Sequence, residues 1–353
     1  DVFTTYGPQI GSLVAQNLVM DLTEPLKAAG IEDDTVFDAA DLYVVDGKRY
    51  GAPKDWSPDL SIFVNNKLFE AAGVPIPSTE EPLSWEEIAD IARQLTVKQG
   101  SATTQFGLGG GWDTFSPAGV ISTMLAEDGQ LLYAEDQKSM NLTSNPDAVA
   151  QLQFMADLAK EGVTHSPANP SASWSGDEFT KGAIAMVIYG YWFNGQLRGG
   201  DTAVGTDYTV LPAPYWSDAD NQINPTFTAT GLAMSSKSEN PDAAWAYLNW
   251  YLTQEPATDR AKAGWGYPAL RANADLLPQE TPNDVQVFEV VSRDAERSPA
   301  LQFNRYYDQA VFQNSYNKYL QNYIDGSMTI DEMAENIQID VNASIEDGVL
   351  QYE

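Results

Sequence analysis

"GAIAMVIYGYWFNGQL", Gly182–Leu197, is the stretch on which the fold turns. Its first half, through Tyr189, is an uncharged apolar run short enough to be a buried strand. It then ends in three large rings, Tyr189, Tyr191 and Trp192, beside two glycines. On a strand's two-residue alternation the two tyrosines share one face and Trp192 takes the other, so one of the two sets is expected to pack inward. So much aromatic surface at a strand's end asks for a purpose.

Around this run, short apolar strands alternate with amphipathic helices, the pattern of an α/β protein. "DVFTTY", "TQFGLGG", "YTVLPAP" and "TGLAMSS" read as further strands. A capping box of Ser84 and Glu87 opens a helix with Ile88, Ile91 and Leu95 on one face, expected to stop at Gly100. Asn145 with Pro146, and Asn240 with Pro241, each supply an N-cap followed by proline at the first helical position. Thr329 and Glu332 form another capping box, and Met333, Ile337, Val341 and Ile345 are spaced for one buried face. No repeat occurs at solenoid periods.

With 353 residues, the chain exceeds what one core comfortably fills, so two domains are expected. Fifty acidic residues against nineteen basic ones leave a formal charge of −31. Such a field repels phosphate backbones and anionic headgroups, which excludes nucleic acid and membrane surfaces as partners, while it suits solubility and a neutral ligand. Cysteine is absent, which removes disulfides and thiolate chemistry. The single histidine, His165, lies in a Pro- and Ser-rich segment and reads as a surface loop residue, so neither a histidine triad nor a histidine-based metal site can be assembled. No apolar run approaches the length of a membrane helix, and the first residues do not form a signal peptide; a cytosolic or already processed chain is expected.

Standard motifs mostly fail. "FGLGGGW", Phe106–Trp112, lacks the spacing and the lysine of a phosphate loop. "SDADNQ" starts like a calcium loop at Asp218 and Asp220, but Gln222 and Ile223 fall where a ligand and a turning glycine are needed, so it reads as an exposed turn. No metal and no cofactor are expected. The sequons at Asn141 and Asn342 matter only in a glycosylating host.

Aromatic residues among polar ones remain. Trp56, Trp112, Trp174, Trp192, Trp216 and Trp265 lie beside Gly, Pro, Ser, Asp or Asn, whereas Trp85, Trp245 and Trp250 sit on expected helices and read as packing residues. A flat ring covers the apolar C–H face of a pyranose while neighbouring Asp, Asn, Lys and Arg groups bond its hydroxyls, so such rings suit carbohydrate.

"YGAPKDWSPDLSIFVNNKLFEAAGVPIPSTEEPLSWEEIADIARQLT", Tyr50–Thr96, resembles a conserved block of the extracellular solute-binding proteins of family 1, the sugar-binding subunits of ABC importers. "GDEFTKGAIAMVIYGYWFNGQL", "TGLAMSSKSENPDAAWAYLNWYLT" and "GWGYPALRANADLL" resemble three further blocks, in the same order. The resemblance implies a two-lobed periplasmic-binding-protein type II fold with three interlobe crossovers. Its lobes would be 1–106 with 231–265, and 107–230 with 266–353. It also implies a sugar or oligosaccharide held in an interlobe cleft, hinge closure, delivery to the permease subunits of an ABC transporter, no catalysis, and a monomer in the periplasm or on the cell surface as a lipoprotein.

In maltose-binding-protein-like members a tryptophan matching Trp192 stacks on a sugar ring, with Tyr189 and Tyr191 adjacent. "PKDW" would put Lys54, Asp55 and Trp56 at the rim of the first lobe, with Asp59 close behind. Trp112 and Asp113 would follow the first crossover, Thr228 and Thr230 precede the second at Gly231, and Trp265 with Tyr267 lie at the third. Trp174, Asn304 and Arg305 complete the candidate set, although a surface salt bridge explains Arg305 equally well. Members usually open with a strand, a helix and a second strand, whereas this chain starts at "DVFTTY", so the first lobe's site is expected to be incomplete. The alternatives are a glycoside hydrolase, which needs two carboxylates about 5 to 9.5 Å apart, for which Asp55, Asp59 and Asp113 are the candidates, and a binder of a non-sugar solute such as a peptide or a polyamine.

Overall fold

Six consecutive residues, Ile184–Tyr189, form a strand that is buried at every position in the computed structural model. The structure describes all residues except 33, 111–115, 201–203, 205–206, 217–221, 228, 302 and 353, and describes residue 116 in its backbone only. The chain divides into two compact units, 1–59 with 190–199 and 224–305, and 60–189 with 200–223 and 306–353. The chain changes unit at five places, after Asp59, Tyr189, Gly199, Ile223 and Arg305, where three crossovers were expected.

The second unit is built on a five-stranded sheet in the order Tyr208–Leu211, Ser61–Asn65, Ile184–Tyr189, Ala102–Gly110, Val97–Gln99. Ile184–Tyr189 runs parallel to Ala102–Gly110 and antiparallel to Ser61–Asn65. A central strand covered on both faces needs a continuous apolar run rather than an alternating one, which is why the quoted segment carries no charge. Residues 60–106, expected in the first lobe, belong here because Ser61–Asn65 pairs beside that strand and helix Trp85–Leu95 packs on the sheet. The packing is close: a Cβ on Gly107 would stand 1.9 Å from the Ala92 carbonyl oxygen. Of the glycines in "FGLGGGW", Gly107 thus serves helix-on-strand contact, while Gly109 and Gly110 lie against Ile184 and Ile188 of the neighbouring strand.

Helix Trp85–Leu95 begins at the expected capping box, with the Glu87 N–H donating to Ser84 Oγ at 3.2 Å and the Ser84 N–H to Glu87 Oε2 at 2.8 Å. It ends at Leu95 rather than near Gly100, because Val97–Gln99 leaves it to form an edge strand. Helix Pro146–Lys160 is capped by Asn145, whose Oδ1 accepts the Asp147 N–H at 3.0 Å. Helix Ile330–Tyr352 carries its capping box at Thr329 and Glu332, and Met333, Ile337, Val341 and Ile345 are fully buried along one stripe. The Asn342 carboxamide accepts the Met140 N–H at 2.7 Å, so one of the two sequons is occupied by a structural bond.

The first unit holds an antiparallel sheet of three strands, Val2–Tyr6, Thr230–Met234 and Gly51–Pro53, with Thr230–Met234 in the centre. Leu232 and Met234 project into a core with Leu22, Leu26, Ile31, Val36, Leu248 and Leu252. Helix Pro241–Thr253 supplies the last two, but Asn240 makes no side-chain cap bond. Trp245 packs on this core as expected; Trp250, expected to pack, is 42% exposed.

In the second unit, buried Glu127 accepts the Trp216 N–H at Oε2, 2.7 Å away, and is also bonded by the Ile223 backbone. Burial pushes its carboxyl up to about 7 from an ordinary 4.5, the backbone donors opposing the shift only in part. The folded chain therefore holds this proton more tightly than the unfolded chain does, and the associated stability is full below pH 4.5 and lost as pH rises through about 7. Glu127→Gln removes the titration. Its melting temperature relative to the parent is expected to be higher at pH 8 than at pH 5, by several degrees in differential scanning calorimetry; parallel pH profiles would refute this.

Candidate functional site

Lys54, Asp55 and Trp56 follow one another at the end of the first unit's sheet, anchored by the Lys54 N–H donating to the Thr230 carbonyl at 2.9 Å. Lys54 Nζ pairs with Asp55 Oδ2 at 3.0 Å, both side chains being largely covered. Burial pushes the Asp55 carboxyl up, against the pull of Lys54 and Arg260. Trp56, expected at a ligand-facing rim, is only 2% exposed. Its ring packs against Phe37 and Tyr267, each 5.2 Å away, and its indole N–H donates to the Pro268 carbonyl at 3.0 Å. Tyr267 is likewise buried, its strand Tyr267–Pro268 pairing with Asp55–Trp56. Tyr191 joins the same cluster through Tyr267 at 6.4 Å.

Trp265 differs. It stands between Gly264 and Gly266, both at positive φ, and is 51% exposed. The positive φ at both neighbours lets the chain turn so that the indole faces out while Tyr267 faces in. Trp192 begins helix Trp192–Gly199 and is half-buried, its N–H donating to Ser57 Oγ at 3.2 Å. The strand ends at Tyr189, so the expected alternation does not reach Trp192: Tyr189 ends a strand of one unit and Tyr191 precedes a helix of the other.

The remaining candidates of the first unit mostly hold backbone together. Asp59 is fully buried and its Oδ2 accepts the Phe227 N–H at 2.6 Å, so a carboxylate expected near a ligand fixes the segment ahead of Thr230 instead. Gly231 lies in the sheet against Ala52 and Tyr43, with no room for a side chain. The Tyr43 hydroxyl sits within hydrogen-bond distance of the Ala229 and Thr5 carbonyls, at 2.6 and 3.0 Å. Thr230 is half-buried opposite Tyr6, Asn304 is buried, and exposed Arg305 pairs with Asp46 at 3.7 Å as a surface salt bridge. Trp112, Asp113, Thr228, Asp218 and Asp220 lie outside the described residues.

In the second unit Trp174 precedes helix Ser175–Thr180 and is 37% exposed. Its ring packs on that of Tyr189 at 5.4 Å, and the Tyr189 hydroxyl is bonded to Ser175 Oγ. Tyr189 is therefore a buried support beneath an exposed indole. Trp216 is half-buried and packs on Phe154 at 5.4 Å, which in turn packs on Trp85. His165, read as a surface residue, is largely covered: Nε2 lies 2.8 Å from Glu178 Oε2, and its ring meets Phe106 edge-on at 4.1 Å. Among the described residues, no group of three or more His, Asp or Glu is placed to hold a metal ion.

Residues 1–258 match the family model for the bacterial extracellular solute-binding protein. The chain belongs to this family. Solved structures agree on the fold. An ABC substrate-binding protein from Listeria monocytogenes, solved in complex with cycloalternan, superposes with a TM-score of 0.79 at 21% identity, covering 98% of this chain and 85% of that one. A Thermotoga lettingae ABC transporter solute-binding protein, solved with α-D-tagatose, gives 0.78 at 19% identity over 98% and 85%. These neighbours carry the two-lobed α/β architecture expected from the sequence. A curated relative, an uncharacterized lipoprotein from Streptomyces antibioticus, is 24% identical over 226 residues, 62% of this chain, and the match spans 47% of its own length.

Three features of this solute-binding protein were not anticipated. Phe37 completes the buried ring cluster and lies under the Arg271 guanidinium at 4.3 Å. Arg260 donates to the Lys54 and Tyr251 carbonyls, tying the Lys54–Asp55 corner to a helix far along the sequence. Neither carries a local signal. Tyr6, 49% exposed at the end of the first strand, was legible: buried Thr5 beside it fixes the alternation.

The contrast between the two indoles is measurable. Trp56→Ala is expected to cost about 3–5 kcal/mol of stability in urea unfolding, whereas Trp265→Ala costs less than about 1 kcal/mol. Equal losses would contradict the assignment of one ring to the core and the other to the surface.

Proposed function

We propose that the chain is the substrate-binding component of an ABC importer, capturing a neutral sugar or oligosaccharide with aromatic and polar side chains carried by each unit and delivering it to a membrane permease. The two units correspond in this reading to the family's two lobes. The observation that carries it is the presence in each unit of a substantially exposed indole resting on its own unit, Trp265 beside Gly195 in one and Trp174 on Tyr189 in the other. A ring that is already fixed loses little freedom when a sugar stacks on it, and the polar groups nearby bond the hydroxyls. The cycloalternan and tagatose in the two neighbouring structures are both carbohydrates without charge, which favours a neutral sugar here.

Binding rather than hydrolysis is favoured by the state of the carboxylates. Asp59 is sealed and occupied by the Phe227 N–H, and Asp55 is held by Lys54, so neither stands ready as acid, base or nucleophile toward a glycosidic bond. An extracytoplasmic site of action agrees with the family and with the lipoprotein description of the curated relative; among the described residues no helix is long and apolar enough to cross a membrane.

A micromolar constant corresponds to about −8 kcal/mol, within reach of a few stacked rings and their hydrogen bonds. Calorimetry against maltotriose, mannobiose, cycloalternan and D-tagatose, with mass spectrometry of the recovered sugar, tests the function: at least one is expected to bind and to be recovered intact, and a shortened product would support hydrolysis. Trp174→Ala, Trp192→Ala and Trp265→Ala are each expected to weaken that binding about tenfold or more, ~1.4 kcal/mol, without unfolding the protein. Unchanged affinity removes the residue concerned from the site.

A further inference from the structure

Trp174 owes its exposure to a mount that none of the ligand chemistry above uses. Its ring folds back over Gly176, where an added Cβ would meet the ring at 2.3 Å, and rests against Tyr189. The backbone leading into it is held from inside the following helix. Glu178 reaches back so that Oε1 accepts the Ala172 N–H at 2.7 Å and the Ser173 N–H at 3.4 Å. Glu178 is only 6% exposed, and a carboxylate so buried is tolerable only when partnered. Its other oxygen faces His165 Nε2 at 2.8 Å.

His165 is itself fixed to the sheet. Its ring packs edge-on against Phe106 of strand Ala102–Gly110. The loop that carries it is closed by Ser166 and Asn169, whose backbones exchange two hydrogen bonds at 3.0 Å. Asn169 Oδ1 then accepts the Thr103 N–H at 3.0 Å, and Thr103 Oγ1 donates to the Gly162 carbonyl at 2.9 Å. A continuous path of contacts therefore runs from the strand through His165 and Glu178 to the peptide groups immediately before Trp174. The chain's one histidine stands at the middle of that path.

We propose that His165 and Glu178 are positioning residues for Trp174, the pair holding the 172–174 segment so that the indole is presented in one orientation for stacking. The proposal rests on the reading of Trp174 as a sugar-contacting ring. Removing the histidine takes away the side chain that faces Glu178 Oε2, and a carboxylate that then turns toward solvent releases the two N–H groups. The indole then loses its orientation while the sheet and the core remain as they are. A glutamine at 165 offers Glu178 a polar side chain with an N–H donor; a leucine does not.

The test uses the full chain labelled with 5-fluorotryptophan, the Trp174 ¹⁹F resonance being assigned from Trp174→Phe. His165→Leu and Glu178→Ala are expected to shift or broaden that resonance, leave those of Trp56 and Trp85 in place, and weaken binding of the tightest of the four sugars named above about fivefold. His165→Gln is expected to restore both readouts toward the parent. An unmoved Trp174 resonance in His165→Leu, or equal losses in His165→Leu and His165→Gln, would overturn the positioning role. If Trp174→Ala leaves sugar affinity unchanged, the ligand reading of the ring fails and the affinity claim falls with it; an unmoved resonance alongside a weakened Trp174→Ala refutes the mount alone.

Discussion

A strand covered on both faces can carry no charge, and its apolar character must stop where its cover stops. Ile184–Tyr189 obeys this, and much of the second unit follows from it. Its parallel neighbour must bring a helix close, which Gly107 permits, and its antiparallel neighbour Ser61–Asn65 must be equally dry, which its complete burial reflects. Where the strand ends, Tyr189 stays inside with its hydroxyl satisfied by Ser175, and the chain is free to place an exposed ring above it. The quoted run's aromatic ending is thus partly core closure and partly support for a surface ring.

The tryptophans illustrate how little the immediate neighbours decide. Trp56 and Trp265 both sit in short segments containing Gly and Pro, yet one is 2% exposed and the other 51%. The difference lies in partners remote in sequence. Phe37, Tyr267 and the Pro268 carbonyl surround Trp56, whereas the chain around Trp265 turns on two glycines at positive φ. The reading of loop tryptophans as ligand rings therefore separates into core rings and surface rings only when tertiary contacts are known. Asp59 makes the same point for polar groups: its neighbours in sequence suggest a rim, its hydrogen bond a backbone clamp.

The architecture was largely legible because long signals dominate it. The five strands read from apolar runs are present, and the helices with capping boxes begin where their caps place them. Ser61–Asn65 escaped because only Ile62, Phe63 and Val64 separate its polar ends, too short a run to show a period. Gly51–Pro53, Asp55–Trp56 and Tyr267–Pro268 are shorter still and exist only through their partners. His165 escaped for a different reason. Its Pro- and Ser-rich surroundings are those of a loop, and it is in a loop, but that loop is pinned to the sheet by Asn169 and Thr103 and closed over by Glu178.

The charge balance constrains the ligand further than composition alone could. Three basic side chains of the first unit have carboxylate company, Lys54 with Asp55, Arg305 with Asp46, and Arg198 with Asp284 and Glu280, while Arg260 is bonded to the Lys54 and Tyr251 carbonyls. An anionic solute would have to displace one of these acids and enter the field of a chain carrying −31. Carboxylates and carbonyls, by contrast, are abundant acceptors. In the proposed reading, a solute rich in hydroxyl donors, without charge and with flat apolar faces, would find acceptors and exposed indoles without an electrostatic penalty. The same excess of acid that repels polyanions is therefore compatible with the proposed sugar, provided that the rings are held still enough to receive it.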